Sequence, residues 1–321
     1  MDSGTRGAGE KSNGRLPSVA VSGSGAAVPA IRLYSPTARP ASTSDGSLAS
    51  ACAPAADRVL TSATAEGDAR EPSVTSHRST GRPSLGMMQP YFFPYLGYFG
   101  LIHATDRWVV FDTPQYIRRG WVNRNRVLAS GASPWKYARV PVARCPPSTP
   151  IREVQIDGRQ AWQDDLFNNL DAYRLRRAPH YAETIEFLKV TLSLQTEQLS
   201  ELLIHCLRCC CEYLKLPLDC HVFSRMQLSL PSISDPGDWA FETAKAVGAS
   251  SYINPPGGQS LFNPEKFREA NIRLQFLTAE LPAYHQGRQE FIPGLSIIDA
   301  LMWNEVSAVR DMVADYTLKA A

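Results

Sequence analysis

The stretch from Met88 to Phe99 reads MQPYFFPYLGYF and concentrates aromatic rings where two prolines and a glycine interrupt the chain. Proline fixes the φ angle and glycine permits close approach, so this segment is predicted to be a stiff loop. Rings held on a stiff loop form a wall on which a sugar or another flat ligand can stack. The residues of this loop predicted to contact a ligand are Gln89, Pro90, Tyr91, Pro94, Gly97 and Tyr98.

A second stretch, QYIRRGWVNRNR, combines arginines with asparagines. Guanidinium groups bind carboxylate or phosphate oxygens in pairs, and amides offer a donor and an acceptor to sugar hydroxyls or a nucleobase. An extended WVNRNR segment places its tryptophan and both asparagines on one face and its two arginines on the other. The predicted ligand contacts of this stretch are Gln115, Tyr116, Arg119, Trp121, Asn123, Arg124 and Asn125.

Two alternatives stay open for this second stretch. Paired arginines beside a tryptophan also suit the binding of single-stranded nucleic acid by stacking. The same arginines on an edge hairpin can instead be solvated and prevent aggregation.

Two carboxylates are candidates for acid–base catalysis. Asp112 follows a predicted strand, where it can act as a general base on an amine or a hydroxyl, cap a turn, or pair with a nearby arginine. The segment LSIID begins a predicted helix, so Ser296 is expected at the N-cap and Asp299 at the third helical position. Asp299 becomes a second catalytic candidate, and Ser296 a substrate contact, if that helix points into the same cleft.

The segment YINPPGGQSLF supplies weaker candidates for ligand contact, namely Tyr252, Asn254 and Gly258. It has neither the GxGxxG nor the GxxxxGK[ST] order, so it predicts no dinucleotide site and no P-loop. The cysteines of HCLRCCCEYL fall on a helical stripe with leucines, where cysteine acts as a small hydrophobe. The sequence therefore predicts no metal site, and it names no cofactor.

The first motif is flanked by elements that would place it at the edge of a sheet. SLGMM reads as a buried strand, LGYFGLIHATD as a helix and RWVVF as a second strand, which together have the size of a βαβ unit. Ligands in such units bind beyond the carboxyl ends of the strands. Gln89, Pro90 and Asp112 are therefore predicted to share one edge.

The rest of the chain completes an α/β pattern. WVNRNRVLAS and WKYARVPVA flank GASP as an antiparallel hairpin, and helical periodicity dominates residues 161–216. SSYINPP and IRLQFLTAEL are predicted late strands, and one or two helices follow. The predicted fold is α/β, with a Rossmann-like βαβ core, a β-hairpin and a helical insertion.

Composition separates the chain into two parts. Residues 1–83 are rich in Ser, Ala, Gly and Pro and are predicted to be a disordered extension, with a transit peptide or a start at Met87 or Met88 as alternatives. Residues 84–321 are predicted to form a single domain. The net charge of +2 across 321 residues gives no general field for polyanions.

The sequence also contains no apolar run of membrane-spanning length and no secretory signal. Its seven irregularly spaced cysteines indicate reduced thiols. We therefore expect a cytoplasmic protein that does not contact a membrane.

The motifs QPYFFPYLGYF, DTPQYIRRGWVNRNR and FIPGLSIIDALMWN resemble those of the WbqC-like family across the whole predicted domain. The resemblance implies a role in O-antigen or other specialised glycan or metabolite biosynthesis. It also implies a transferase that forms an amide by adding an acyl or aminoacyl group, such as glycyl, to an amine on a nucleotide-linked amino sugar. The expected partners are that small molecule and an acyl or aminoacyl carrier, and nucleic acid is not expected.

Two alternative functions stay open. The layout of the first motif resembles that of HIGH-class nucleotidyltransferases, although Tyr98 stands where a second histidine is expected. This layout indicates adenylyl or nucleotidyl transfer. The other alternative is a non-catalytic nucleotide- or RNA-binding protein that uses the arginine-rich stretch.

Overall fold

The computed structural model describes residues 81–159 and 161–321, so nearly all of the predicted extension lies outside the described residues. The centre of the described part is a six-stranded sheet. Its strands are β1 (Ser84–Met88), β2 (Arg107–Val110), β5 (Cys220–Val222), β6 (Ser251–Asn254), β7 (Arg273–Ala279) and β8 (Tyr316–Ala320). A separate antiparallel hairpin consists of β3 (Arg124–Leu128) and β4 (Trp135–Arg139).

The strand order β5-β2-β1-β6-β7-β8 is that of a doubly wound sheet. Leu85 of β1 lies opposite Arg107 of β2 on one side and Tyr252 of β6 on the other, in parallel register. β5 and β7 extend the sheet in parallel, and β8 closes it antiparallel to β7. Because the chain leaves β1 toward β2 and returns later to β6, the topological switch point lies between β1 and β6.

Helices cover both faces of the sheet. Side chains along β2 alternate between two apolar clusters: Trp108 and Val110 belong to one, and Val109 and Phe111 to the other. A strand buried on both faces is typical of a parallel sheet between helical layers. The helices are α1 (Leu96–His103), α2 (Trp162–Asn168), α3 (Asp171–Leu175), α4 (Tyr181–Thr191), α5 (Leu199–Tyr213), α6 (Asp238–Ala246), α7 (Pro264–Glu269), α8 (Ile297–Trp303) and α9 (Val306–Ala314).

The predicted insertion lies between β2 and β5 and contains the hairpin and α2 to α5. Cys206 and Cys210 lie on the buried side of α5, where burial raises the pKa of both thiols. They pack there as apolar side chains. The described residues contain no cluster of three side chains suited to hold a metal ion, and none of their helices has the length and apolar character needed to cross a membrane.

The α/β prediction with a Rossmann-like core, hairpin and helical insertion is confirmed, and two strands were missed. β5 has only three residues, and the last four residues of β8 are exposed, so neither shows a run of buried apolar side chains. The predicted extended segment is also shorter than expected. β3 begins only at Arg124, because the chain turns at Arg119, whose φ is 62°.

Candidate functional site

The carboxyl ends of β1 and β6 enclose a cleft at the switch point. Its cavity volume is about 30 Å³, which is room for about two water molecules, so a larger ligand requires the walls to move apart. Most of the wall is apolar, as is usual for sites that take a small organic molecule. The lining includes Met88, Gln89, Phe111, Trp239, Tyr252 and Asn254.

Gln89 is the polar residue that distinguishes this cleft. Its side chain follows β1 directly and is 4% exposed, and its Nε2 has no hydrogen-bond partner among the described residues. Leaving a buried donor unsatisfied costs about 1–3 kcal/mol. The main-chain carbonyl of Gln89 accepts a hydrogen bond from the hydroxyl of Tyr98 at 2.9 Å, which holds the backbone in place. The side-chain amide therefore extends from a held backbone and offers a donor that a ligand acceptor can satisfy.

On the β6 side, Tyr252 and Asn254 complete the polar part of the cleft. The Tyr252 hydroxyl donates to Asn254 Oδ1 at 3.1 Å, and Asn254 Nδ2 donates to the Pro255 carbonyl at 3.0 Å. Burial raises the pKa of Tyr252 further above its ordinary value, so its hydroxyl is a neutral donor. A Cβ atom on Gly258 would lie 2.3 Å from Asn254 Nδ2, so the close approach here requires glycine. The predicted trio is thus brought together.

The aromatic loop after β1 packs mainly into the core. Phe92, Phe93 and Phe99 have no exposed surface, and Tyr98 is 2% exposed with its ring 5.2 Å from that of Trp108. Most rings of the motif therefore form an aromatic core corner rather than an open wall. Tyr98 stands at the position where a HIGH-class enzyme is expected to have its second histidine. Its hydroxyl donates a hydrogen bond to the Gln89 carbonyl.

The other loop residues predicted to contact a ligand have structural partners. Pro94 is buried and its carbonyl accepts from the Ile297 backbone N–H at 2.8 Å. A Cβ atom on Gly97 would lie 2.6 Å from the Tyr95 ring, so glycine is needed for this packing. Pro90 is buried, whereas Tyr91 is half-buried and keeps part of its surface open. Ligand contact by these residues stays a prediction.

Phe93 is the junction at which the three motifs meet. Its φ of 40° is unusual for a bulky residue. Its carbonyl accepts hydrogen bonds from Asn125 Nδ2 at 3.0 Å and from Ser296 Oγ at 2.7 Å. The Ser296 hydroxyl also accepts from the Ile298 backbone N–H at 3.2 Å, which confirms its N-cap role. The three motifs meet here, but at this junction their polar groups form hydrogen bonds with one another.

The arginine–asparagine stretch is similarly occupied by internal contacts. Asn123 donates to the Val140 carbonyl at 2.7 Å and accepts from the Tyr116 hydroxyl at 2.8 Å. Burial is the main cause that raises the pKa of Tyr116, to about 12. Gln115 donates to the Pro147 carbonyl at 2.6 Å.

Arg124 and Trp121 define the other face of the stretch. Arg124 Nε donates to the Gly120 carbonyl at 3.0 Å. Arg119, also predicted to contact a ligand, is exposed. Trp121 was expected on the asparagine face, and this was wrong: the guanidinium of Arg126 lies 5.8 Å from its ring. The reason is that residues 118–123 form turns rather than an extended strand. None of the residues named as lining the switch-point cleft comes from this stretch.

Both candidate catalytic carboxylates are buried and hydrogen-bonded. Asp112 is 2% exposed, and its Oδ1 and Oδ2 accept from the Ser224 backbone N–H at 3.0 Å and the Ser224 hydroxyl at 2.6 Å. It thereby ties the end of β2 to the short 3-10 helix Phe223–Arg225. Asp112 lies at the same sheet edge as Gln89, as predicted, since each follows the end of one of two adjacent parallel strands.

Asp299 is fully buried and lies in a separate cluster of hydrogen-bonded side chains. Its Oδ1 accepts from the Tyr173 hydroxyl at 2.9 Å, and its Oδ2 accepts from the Tyr284 hydroxyl at 2.6 Å and from Gln286 at 2.8 Å. Burial raises the pKa of this carboxyl to about 6, although its hydrogen bonds act in the opposite direction. Asp299 therefore anchors the loop before α8 instead of sharing the helix cap with Ser296.

Several residues around these sites were not found from the sequence. Phe111 follows β2 directly, so its position at the strand end was an available signal. Trp239 lies in the first turn of α6, far along the chain, and no local pattern connects it to β1. The partners of Asp299 likewise come from α3 and from the loop before α8.

The sheet order and the cleft at its switch point define a Rossmann-like α/β protein. The model of the WbqC-like protein family matches residues 89–311, and the chain belongs to this family. The chain is also 28% identical over 232 residues to a protein of Mycobacterium tuberculosis described as uncharacterized protein Rv1507c. That alignment covers 68% of this chain and 92% of the relative. No solved structure gives a significant match.

Proposed function

We propose that the protein is a transferase that joins an acyl or aminoacyl group to the amine of a small molecule, such as a nucleotide-linked amino sugar, in glycan or specialised-metabolite biosynthesis. The observation that carries the small-molecule part is the unpartnered Nε2 of Gln89 in the switch-point cleft. The acyl-transfer part is what the family resemblance implies.

The chemistry of the cleft suits a flat ring with carbonyl groups, such as a nucleobase, whose entry would require the walls of the cavity of about 30 Å³ to move apart. Phe111 and Trp239 pack against each other with ring centroids 5.7 Å apart, so a ligand ring would lie along their joint apolar surface and not between them. Gln89 offers an N–H donor to a ring carbonyl, and a hydrogen bond to this buried donor removes the cost of leaving it unsatisfied. The apolar wall would exclude water from the same interaction.

Amide formation requires an amine to attack the acyl carbon while a proton leaves the nitrogen and the acyl carrier departs. We assign Asp112 as the general base that accepts this proton, because its neighbour Phe111 lines the cleft. Both of its oxygens accept hydrogen bonds from Ser224, so Ser224 would position the base. Asp299 is bonded within its own buried cluster and is assigned no proton transfer in this proposal.

Replacement of Gln89 by methionine tests the binding part. Methionine has a similar shape and no donor, so Gln89→Met should weaken binding about 5- to 150-fold, which corresponds to about 1–3 kcal/mol. The same change removes an unsatisfied donor, so the free energy of unfolding without ligand should stay equal or rise. Isothermal titration with uridine, thymidine and guanosine diphosphate amino sugars, together with urea unfolding, would measure both.

Gln275→Met, at a half-buried glutamine of β7 outside the cleft, is the control and should leave binding unchanged. Mass spectrometry of the acceptor after incubation with glycyl donors would detect the amide. Unchanged affinity in Gln89→Met, or no binding by any of these nucleotide sugars, would contradict the proposal.

A further inference from the structure

The hairpin and its flanking turns carry an unusual local charge. Residues 113–151 contain six arginines, one lysine and no aspartate or glutamate, which is a formal charge of +7. The whole chain has a net charge of only +2. A weak overall charge therefore conceals one strongly basic segment, and a local patch is sufficient to attract an anionic partner.

These six arginines lack carboxylate partners. Within residues 81–159 and 161–321, none of them forms an ion pair, whereas Arg107 pairs with Asp219 at 3.2 Å elsewhere. Three of them are instead held by the main chain, and one of these is Arg126, which donates to the Gly294 carbonyl at 2.9 Å. Arg118 donates to the Cys145 carbonyl at 3.0 Å, and Arg124 Nε donates to a carbonyl in the turn before β3. Main-chain carbonyls orient a guanidinium without neutralising its charge.

Aromatic rings alternate with two of these arginines on the outer face of the hairpin. The Arg124 guanidinium lies 3.9 Å from the centre of the Tyr137 ring. The Arg126 guanidinium lies 5.8 Å from the ring of Trp121 and 5.4 Å from that of Trp135. All three rings are half-buried. We call this surface, together with the exposed Arg118, Arg119, Arg139 and Arg144, the arginine face.

We propose that the arginine face binds a single-stranded polynucleotide. Phosphates would contact the arginines, and unpaired bases would stack on the rings and on the guanidinium planes. A strand of five residues spans about 17 Å, so the face is longer than one nucleotide and suits a polymer. A duplex keeps its bases stacked inside and would leave the rings unused. The cleft at the switch point takes no part in this interaction.

The test uses the full chain and labelled oligouridine and oligothymidine of about 12 nucleotides, a length within the range of known single-strand sites. Fluorescence anisotropy across a salt series gives the affinity and its salt dependence. Comparison of the two oligonucleotides separates RNA from DNA as the source of the strand.

The first variant combines Arg119→Asn, Arg139→Gln and Arg144→Gln, which are exposed positions. Asparagine tolerates the positive φ at the first of them. Loss of three phosphate contacts should reduce the salt slope by about 2 and weaken binding roughly 50-fold at physiological salt, as counterion release predicts. The control combines Arg174→Gln, Arg225→Gln and Arg268→Gln. It removes the same charge from ion-paired surface sites and should bind nearly as wild type does.

Trp121→Leu tests the stacking part and should weaken binding about tenfold without changing the salt slope, while Trp121→Phe should restore most of the affinity. Thermal unfolding checks that each variant is folded. The proposal is overturned if the control triple loses as much affinity as the first variant, or if duplex RNA binds as tightly as single strands. It is also overturned if phosphatidylglycerol vesicles bind and the oligonucleotides do not.

Discussion

The switch-point cleft and the arginine face use their polar groups in opposite ways. The cleft is mostly apolar, and its buried Gln89 donor has no partner among the described residues. The segment around the arginine face is dense in polar side chains, yet Asn123 and Asn125 beneath it are fully engaged with other parts of the chain. The engaged asparagines therefore organise the fold, whereas the unpaired arginine charges and the unmet Gln89 donor mark places that a ligand can satisfy.

The largest expected effect tests whether the third motif is structural. Asp299→Ala leaves Tyr173, Tyr284 and Gln286 without their shared acceptor, so the free energy of unfolding should fall by about 3–5 kcal/mol. Urea unfolding measures this change. Asp311→Ala, at an exposed position of α9, is the control. Near-wild-type stability in Asp299→Ala would show that the cluster does not stabilise the fold.

The free energy of unfolding should depend on pH through the titration of the Asp299 carboxyl. Burial raises the pKa of Asp299 to about 6, so the folded state favours its protonated form. The contribution of this group is fully present below the ordinary aspartate pKa and is lost as pH rises toward 6, a change of about 3 kcal/mol. In urea unfolding between about pH 4 and pH 7, the stability of wild type minus that of Asp299→Asn should fall as pH rises. A constant difference would contradict this assignment.

A smaller effect tests the shape of the cleft. Gly258→Ala would bring a Cβ atom to 2.3 Å from Asn254 Nδ2, which forces a shift at the end of β6. The expected loss of stability is about 1–3 kcal/mol, together with weaker ligand binding. At Gly131 an added Cβ atom meets no other atom within 4 Å, so Gly131→Ala should be neutral in thermal unfolding. Equal behaviour of the two variants would show that the cleft tolerates movement.

The smallest effect separates structural from exposed arginines on the hairpin. Arg124→Lys should lose the bond to the Gly120 carbonyl and the stack on Tyr137, at a cost of about 1 kcal/mol. Arg139 lies directly opposite in the strand register and is exposed, so Arg139→Lys is the matched control and should be neutral. If both variants unfold at the wild-type temperature, the Arg124 contacts contribute nothing to stability.

The predictable part of the fold was the part whose signal is local. β1, α1 and β2 have apolar runs and helical spacing within a short stretch, and their position at one sheet edge followed from parallel pairing. β5 was missed because it is short, and β8 because it is an exposed edge strand; both are defined by their neighbours in the sheet and not by their own sequence.

The candidate site was predictable only in part for the same reason. Gln89, Tyr252 and Asn254 follow or belong to strands whose ends meet at the switch point, and all three line the cleft. The hydrogen-bond partners of the two carboxylates could not be predicted from the sequence. Ser224 is far from Asp112 in the chain, and Tyr173 is far from Asp299. Trp121 was misplaced because a turn at a positive φ interrupts the expected alternation.

The long connection between β2 and β5 has a consequence for how the chain folds. The two strands are parallel neighbours, although residues 111–219 separate them in sequence. Closing so long a connection costs entropy, and non-local strand pairing forms slowly. β5 should therefore join the sheet late, after the intervening segment has collapsed. Until then the edge of β2 is unpaired, so aggregation during synthesis should begin there.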